Sequence, residues 1–498
     1  MKIKEILVLT SVVLLTCFNA TSQENQSKQK PNVLFIAIDD LNDWVGCLGG
    51  HPQAHTPNID RLAARGILFT NAHASAPGCS PSRNSLLTGK EPTSTGYYPF
   101  YDNWDKTYLP GYVTLPQYFR QNGYTTYASG KIHHGMAGQN PKLGQRDWTE
   151  NNWAVLKELP KLEIDKNDRV GVDERTEKYV AGPTINPLAD HDDYQNALYG
   201  INILQQKHDQ PFFLALGFFK PHLPFIAPKK YFDLFDKDNI QLPPIKDDDL
   251  DDIPWAGRSN ALKLDDKIRE KGIRKGLIRG YLAATAFADD MIGMVVEALE
   301  KSPYSDNTII VFWSDHGYHH GEKRSFTKFT LWEESTRTPF IIIDPRMKAL
   351  AGEKCNSPVS LVHIYPTLVE MCGLPVKNGL DGRSLVPLFQ NPETIWEQPA
   401  LTTWGRGNYA LRSENWRYIR YFDGSEELYN HQVDPNEWTN LANDPKYQSI
   451  KTDLAKWIPK TEARLQPKGR LDPVNADLPD LEEFKKRWSQ LKMDSKLR

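Results

Sequence analysis

The sequence predicts an α/β protein: a large mixed, mainly parallel sheet flanked by helices, followed by a smaller C-terminal α+β subdomain with antiparallel strands. Three observations lead there. Apolar β-branched runs alternate with helical patterns along most of the chain. Those runs are apolar at nearly every position, as strands covered on both faces must be. After about residue 390 the alternation gives way to closely spaced strand patterns.

With 498 residues, the chain is too long for one small core and suits one large domain or two unequal ones. A composition of 39% hydrophobic and 25% charged residues is that of a folded globular protein. The net charge of -3 offers no global field for nucleic acid or an anionic membrane, so an anionic substrate would need local positive charge.

Residues 1–22 read as a secretory signal peptide. Lys2 and Lys4 precede the run ILVLTSVVLL, which is too short to span a bilayer, and Ala20-Thr21-Ser22 offers small residues for cleavage before Gln23. Leu14-Leu15-Thr16-Cys17 loosely resembles a lipid-attachment box, but Thr16 is a poor residue there. A periplasmic or secreted location is therefore preferred to lipoprotein anchoring. No other segment reads as a transmembrane helix. The expected organisation is a signal peptide (1–22), a main domain (23–390) and a C-terminal subdomain (391–498).

Val33–Ile38 (VLFIAI) is the first strand. A helix is expected at Asn58–Arg65 and another at Leu115–Gln121, then a strand at Tyr124–Ala128. Tyr194–Gln206 reads as a helix and Phe212–Leu216 (FFLAL) as a strand. Gly276–Lys301 is the clearest helix, with apolar residues recurring at i, i+3, i+4 and i+7. Thr308–Trp313 (TIIVFW) and Phe340–Ile343 are further strands, and Leu361–Cys372 is a helix closed by Gly373. NYALRSENWRYIRYFDGSEELYN reads as antiparallel strands turning at Asp423-Gly424, before a polar helical tail.

Beyond the leader the cysteines are Cys47, Cys79, Cys355 and Cys372. An exported protein of this size does not need disulfides. Cys355 and Cys372 could pair, but spacing does not decide it, and Cys372 reads as a small buried hydrophobe.

Ligand sites of open α/β sheets gather outside the carboxyl ends of the strands. Two strands end in acids there: Val33–Ile38 runs into Asp39-Asp40, and Thr308–Trp313 into Ser314-Asp315-His316. Three carboxylates and an imidazole would converge from distant segments. Such a set suits a hard divalent cation, Ca²⁺ or Mg²⁺, better than Zn²⁺. One strand-end Asp alone would more simply cap a helix; two clusters, one carrying His, favour the metal. Other acids read as structural. Asp247–Asp249 with Asp251 and Asp252 read as a solvated loop, and Asp190–Asp193 as a helix cap. Of Asp289 and Asp290, one is expected to hydrogen-bond internally and the other to face solvent.

Cys79 stands in APGCSPSRNSLLTGK with no evident partner. The pattern Cys-x-Pro-x-Arg, followed by Leu87-Thr88-Gly89, resembles the maturation signature of the type I sulfatases. The likeness covers nearly all of residues 31–440. NVLFIAIDDLN resembles the family's first strand with its paired metal-binding aspartates, and HTPNIDRLAARGILFTNAHA the approach to the modified cysteine. GYTTYASGKIHHG, PFFLALGFFKPHLPF and FWSDHGYHHGE resemble its Gly-Lys-x-x-His, Lys-Pro-His and Asp-His-Gly segments. TLPQYFRQNGYTT, GKIHHG and GFFKPHLPF are most similar to the iduronate-2-sulfatase branch, as is Asp315-His316. The commoner family pattern puts His two residues after Lys and that branch puts it three after. His133 and His134 fill both positions here, and the flanks favour His134.

The resemblance implies an alkaline-phosphatase-like fold and a Cys79 that a separate maturase oxidises to Cα-formylglycine (3-oxoalanine). It implies one divalent cation, Ca²⁺, held by Asp39, Asp40, Asp315, His316 and the residue formed from Cys79. Arg83 would hold the aldehyde hydrate and support the metal ligands. Lys131, His222 and Lys328 would contact sulfate oxygens, and His134 and His222 would carry protons. Two hydroxyls on one carbon let a hydrate both accept sulfate and release it, which a thiol or serine does not. His51, His55, His73, His319, His320 and His363 carry no implied role.

The implied substrate is a sulfated oligosaccharide or polysaccharide fragment, and that branch favours a 2-O-sulfated uronic acid of a glycosaminoglycan or an ulvan-type algal polysaccharide. The aromatic-rich stretch Tyr97–Trp104 suits a carbohydrate-facing pocket. Two rivals are a phosphate or phosphonate ester hydrolase of the same fold and an inactive glycan-binding protein. The intact Cys-x-Pro-x-Arg argues against both.

Overall fold

The computed structural model describes residues 30–98, 111–134, 146–149, 159–172, 179–258 and 264–463. The expected leader, residues 99–104 of the aromatic stretch and the tail beyond 463 lie outside the described residues. A seven-stranded sheet occupies the centre. Its strands are β1 (Asn32–Asp39), β2 (Ile67–Phe69), β3 (Thr125–Gly130), β4 (Phe212–Pro221), β5 (Thr308–Ser314), β6 (Phe340–Ile343) and β7 (Lys354–Cys355). In space they run β7-β2-β6-β5-β1-β4-β3. The β5-β1-β4-β3 neighbours and the β7-β2 pair are parallel, whereas β6 is antiparallel to β5 and β2.

Six helices position the site: α1 (Pro57–Ala63), α2 (Cys79–Thr88), α3 (Leu115–Gln121), α4 (Asp192–Gln205), α5 (Arg274–Glu300) and α6 (Ile364–Met371). β1 is buried at all its positions because both its faces are covered. Leu34, Ile36 and Ile38 join a core with Ala197 and Leu204 of α4 and Leu277, Ile278 and Tyr281 of α5. Val33, Phe35 and Ala37 join a second core with Phe119 of α3 and Ile364 and Leu368 of α6. Each of the Val, Leu, Ile and Phe side chains among these gains about 1.5–3 kcal/mol on burial, so both faces of β1 fix its register.

Asp289 of α5 accepts the Asn58 and Ile59 amides at 3.0 and 2.8 Å and so caps α1, while Asp290 takes the Tyr231 hydroxyl at 2.8 Å and is half-exposed. The pair divides as the sequence suggests. Asp249 does not follow its expectation of a solvated loop: it is buried and paired with Lys323 at 2.7 Å. One cation brought from far along the chain accounts for the difference. Cys47, Cys79, Cys355 and Cys372 are all free thiols.

From residue 400 the chain forms a four-stranded antiparallel sheet of Ala400–Thr403, Tyr409–Arg412, Trp416–Arg420 and Glu426–Asn430, in that order, and the helix Gln448–Ala455 follows it. Its residues alternate between two cores. Ala410, Ile419 and Tyr429 pack on Leu331 and Trp332, just past Lys328, while Leu411, Tyr418 and Leu428 pack on Leu454 and Ile458.

Candidate active site

The carboxyl ends of β1, β4 and β5 and the start of α2 meet at one point. β1 ends with Asp39, and Asp40 follows at φ 63, a left-handed conformation uncommon outside glycine. The Asp40 amide donates to Asp315 Oδ1 at 3.1 Å and the Leu41 amide to Ser314 Oγ at 3.0 Å, which ties the two acidic strand ends together.

Cys79 is the first residue of α2 and is fully buried. Pro81 lies in that first turn, where the amides lack helical partners, so its missing N–H costs nothing. Arg83 lies one turn after Cys79 on the same side of the helix. Its Nε donates to Asp315 Oδ2 at 2.8 Å, one terminal nitrogen reaches Asp39 Oδ1 at 3.2 Å, and the other bonds the Lys131 and Ile132 carbonyls. The guanidinium joins β1, β3's end and β5 beneath the thiol.

Lys131 reaches Asp39 Oδ2 at 2.5 Å. Lys328 reaches Asp40 Oδ1 at 2.6 Å and Cys79 Sγ at 3.0 Å. Two glycines let Lys131 come this close. Gly130, at φ +73, would place a Cβ 2.0 Å from the Gly217 carbonyl, and a Cβ on Gly217 would lie 2.2 Å from the Lys131 backbone.

Burial alone would raise the carboxyl of Asp39, but Lys131, His222 and Arg83 hold it well below the usual carboxylate range. Asp40 is likewise held down against burial by Lys328 and His222, whereas burial prevails at Asp315 and raises it. Burial, reinforced by Asp39, pushes the Cys79 thiol up, so it stays protonated between its two lysines.

His316 donates Nδ1–H to the Gly317 carbonyl at 2.9 Å, since a carbonyl only accepts. Its neutral Nε2 lone pair then faces Cys79 Sγ at 3.2 Å and Asp40 Oδ1 at 3.4 Å. His222 is arranged alike. Nδ1–H donates to the Leu223 carbonyl at 2.7 Å, and Nε2 lies 3.9 Å from Asp40 Oδ2 and 4.0 Å from Asp39 Oδ2. Burial lowers its pKa to about 4.

Asp40 Oδ2 is buried with no hydrogen-bond partner. Ligand atoms of Asp39, Asp40, Cys79 and His222 lie within 4.8 Å of one another, as do those of Cys79, Asp315 and His316. An orphaned carboxylate oxygen, an imidazole lone pair fixed by its second nitrogen and an oxygen-rich set fit a hard cation. A third group, Glu333, His431 and Glu437, is already neutralised by Arg412 and Arg417.

His133 and His134 part company. His133 Nε2 lies 2.8 Å from Asp147 Oδ2, with its ring edge-on to Trp148. His134 shares the field of Lys131, Asp39, Lys328 and Arg83, and burial with Lys131 brings its pKa down to about 3. All the expected site residues thus gather in one neighbourhood. Of the aromatic stretch, Tyr97 and Tyr98 are buried, and the Tyr97 hydroxyl meets Ser80 Oγ at 2.8 Å.

Sequence reasoning missed Asp193 and Lys220. β1 and β4 slip register where Ile38 pairs with Phe218 but Asp39 with Pro221. The amides freed there, of Phe219 and Lys220, donate to Asp193 at 2.7 and 2.8 Å. Lys220 Nζ then donates to the His222 and Pro224 carbonyls at 3.3 and 2.7 Å. Asp193, expected as a helix cap, serves a strand end instead. A lysine inside the apolar run FFLALGFFKP was the available signal, because a buried ammonium needs internal acceptors.

Residues 31–374 match the sulfatase family.

The chain belongs to that family.

It is a sulfuric ester hydrolase. Residues 321–464 match the C-terminal region of N-sulphoglucosamine sulphohydrolase. A sulfatase of Formosa agariphila is 38% identical over 92% of each chain. An ulvan-active sulfatase of the same organism is 28% identical, over 93% of this chain and 87% of its own. Human iduronate 2-sulfatase is 31% identical over 74% of each. Among solved structures, phosphonate monoester hydrolase of Agrobacterium radiobacter superposes with TM-score 0.70 at 23% identity, covering 86% of this chain and 94% of its own. A 2-O GAG sulfatase gives 0.65 at 22%, covering 86% and 91%. These last two establish the fold, an alkaline-phosphatase-like sulfatase fold.

Proposed function

We propose that this sulfatase removes sulfate from a 2-O-sulfated uronic acid residue of a polysaccharide, of glycosaminoglycan or ulvan type. The reading includes conversion of Cys79 to Cα-formylglycine by a maturase, one bound Ca²⁺, and export to the periplasm or medium on the strength of residues 1–22. The observation that carries it is Cys79 itself: a buried, protonated thiol, useless as a nucleophile, set at a helix N-terminus between Lys328, His316 and Asp40. The uronic acid assignment rests on likeness to an iduronate 2-sulfatase, and the polysaccharide type also on likeness to an ulvan-active sulfatase.

Asp39, Asp40, Asp315 and His316 would hold the metal, with residue 79 completing its surroundings. Once modified and metal-loaded, position 79 would supply an acidified oxygen nucleophile. This chain's own groups do the rest. Three carboxylates balance Arg83, Lys131 and Lys328 in charge, so with a divalent cation held there the site would be net positive and would favour an anionic ester. Lys131 and Lys328 then turn from the carboxylates to the sulfate oxygens, where fixed donors oppose the charge that develops. Arg83, bonded to Asp39 and Asp315, keeps those ligands in place. The charges of Lys131 and Lys328 help hold His134 and His222 neutral; an arriving anion offsets them and raises both proton affinities. His222 serves the leaving oxygen and His134 the release of sulfate.

Mass spectrometry of the peptide spanning Cys79, from a host with the maturase, should show the conversion from thiol to aldehyde. Cys79→Ala should abolish hydrolysis of 4-nitrocatechol sulfate and of 2-O-sulfated uronic oligosaccharides. Retained turnover, or an unmodified thiol in active protein, would overturn the reading.

A further inference from the structure

We infer that a cavity beside the catalytic pocket is a subsite for a second acidic sugar of the same chain. It has a volume of 870 Å³, in the range that holds a sugar ring or two, and lies between the start of α4 and residues 159–169. Phe219 is the wall it shares with the catalytic pocket. On that ring sit Lys131 Nζ, 5.3 Å from its centre, and the His222 imidazole at 4.6 Å. Lys220 Nζ lies 5.2 Å from the same ring and belongs to the lining of the cavity. A substrate chain bound by Lys131 and His222 therefore has the cavity as its neighbour.

Two cations of the lining stand without partners among the described residues. Lys166 and Arg169 make no ion pair or side-chain hydrogen bond with any described residue. Lys220 is buried and bonded only to two carbonyls, with no carboxylate within salt-bridge distance among the described residues. The acids of the lining are spent or solvated. Asp193 takes the two strand amides, Asp190 accepts from the Asn186 side chain at 3.1 Å, and Asp192 and Glu163 are exposed. Unpaired cations recognise a carboxylate or sulfate, and exposed carboxylates accept sugar hydroxyls. That mixture selects an acidic sugar over a neutral one or a bare anion.

The inference rests on the carbohydrate reading above, so its test separates the two. Calorimetry with an unsulfated glucuronate-containing tetrasaccharide probes the cavity without engaging the sulfate pocket. Wild-type protein should bind it, and the double variant Lys166→Ala/Arg169→Ala should bind at least ten-fold more weakly. Hydrolysis of 4-nitrocatechol sulfate by that variant should stay within two-fold of wild type, and a neutral tetrasaccharide should bind no better to wild type than the acidic one does to the variant. The subsite is refuted if wild type and variant bind the acidic tetrasaccharide alike, if neither binds it, or if aryl sulfate hydrolysis falls with binding. Turnover of 2-O-sulfated disaccharides by wild type is scored separately: its absence refutes the carbohydrate reading and leaves the binding result to be judged by itself.

Discussion

Arg83 is fully buried, so its acceptors must offset the hydration it loses. Burial lowers its proton affinity, yet Asp315 and Asp39 more than restore it. Arg83→Ala would leave Asp315 buried without its guanidinium and Asp39 with Lys131 alone, and breaking such a buried pair costs about 3–5 kcal/mol. Urea unfolding should show a loss of that size; a loss below about 1 kcal/mol would mean that the lysines alone suffice. The adjacent histidines give a sharper contrast. His134→Gln should lower kcat by about 10²–10⁴, the usual worth of a positioned proton carrier. His133→Gln should cost less than about ten-fold, because His133 is engaged by Asp147. The reverse order in steady-state assays on one aryl sulfate would exchange their roles.

At the scale of the element, the end of β4 and the start of α4 act together, because Asp193 holds the amides that the β1–β4 slip sets free. Burial pushes the Asp193 carboxyl up to about 6, against about 3.9 in an unfolded chain. Between those values the native protein holds more protons than the unfolded one. This group therefore favours folding at low pH, and its contribution is lost as pH rises through 6. Between pH 4.5 and pH 7 the lost part is about 2 kcal/mol. Urea unfolding of wild type and Asp193→Asn at pH 4.5 and pH 7 should show their stability difference move against wild type by that amount on going to pH 7. No movement would mean that Asp193 is ionised throughout. The strands of this region were legible because apolar runs covered on both faces leave a local mark: β1 and β5 extend the expected Val33–Ile38 and Thr308–Trp313 by only a residue or two. The Asp193–Lys220 staple left no such mark, since its partners lie 26 and 27 residues apart and a register slip has no periodicity of its own. Asp249 escaped for the same reason, its Lys323 partner being 74 residues away.

For the molecule as a whole, the segment carrying Lys328 is clamped by the C-terminal sheet. Glu333 lies between Arg412 and Arg417, Arg417 also pairs with Glu437 at 2.6 Å, and its other nitrogens bond the Leu331 carbonyl and Thr336 hydroxyl. The sheet is thus more than an appendage, since it fixes the strap on which Lys328, the lysine proposed to contact sulfate, sits. Arg417→Met should destabilise the protein by about 3–5 kcal/mol and depress kcat as Lys328 loses its anchor. Thermal unfolding together with kinetics checks both; lost stability with full kcat would confine Arg417 to the fold. Of the candidate site, Cys79, Arg83, Asp39, Asp40, Asp315 and His316 were legible from one compact signature and two acidic strand ends, and Lys131, His134, His222 and Lys328 through the family resemblance, whereas the charge network behind them joins positions about 80 to 100 residues apart and was not.

The zero exposure of the Cys79 side chain also bears on timing in the cell. If Cys79 is oxidised as proposed, an enzyme could not reach an atom enclosed by Lys328, His316 and Asp40, so it would have to meet the polypeptide while the segment is still extended. Under that proposal, protein harvested without the encounter would be committed to inactivity, and a maturase added afterwards should restore activity only after the chain is unfolded.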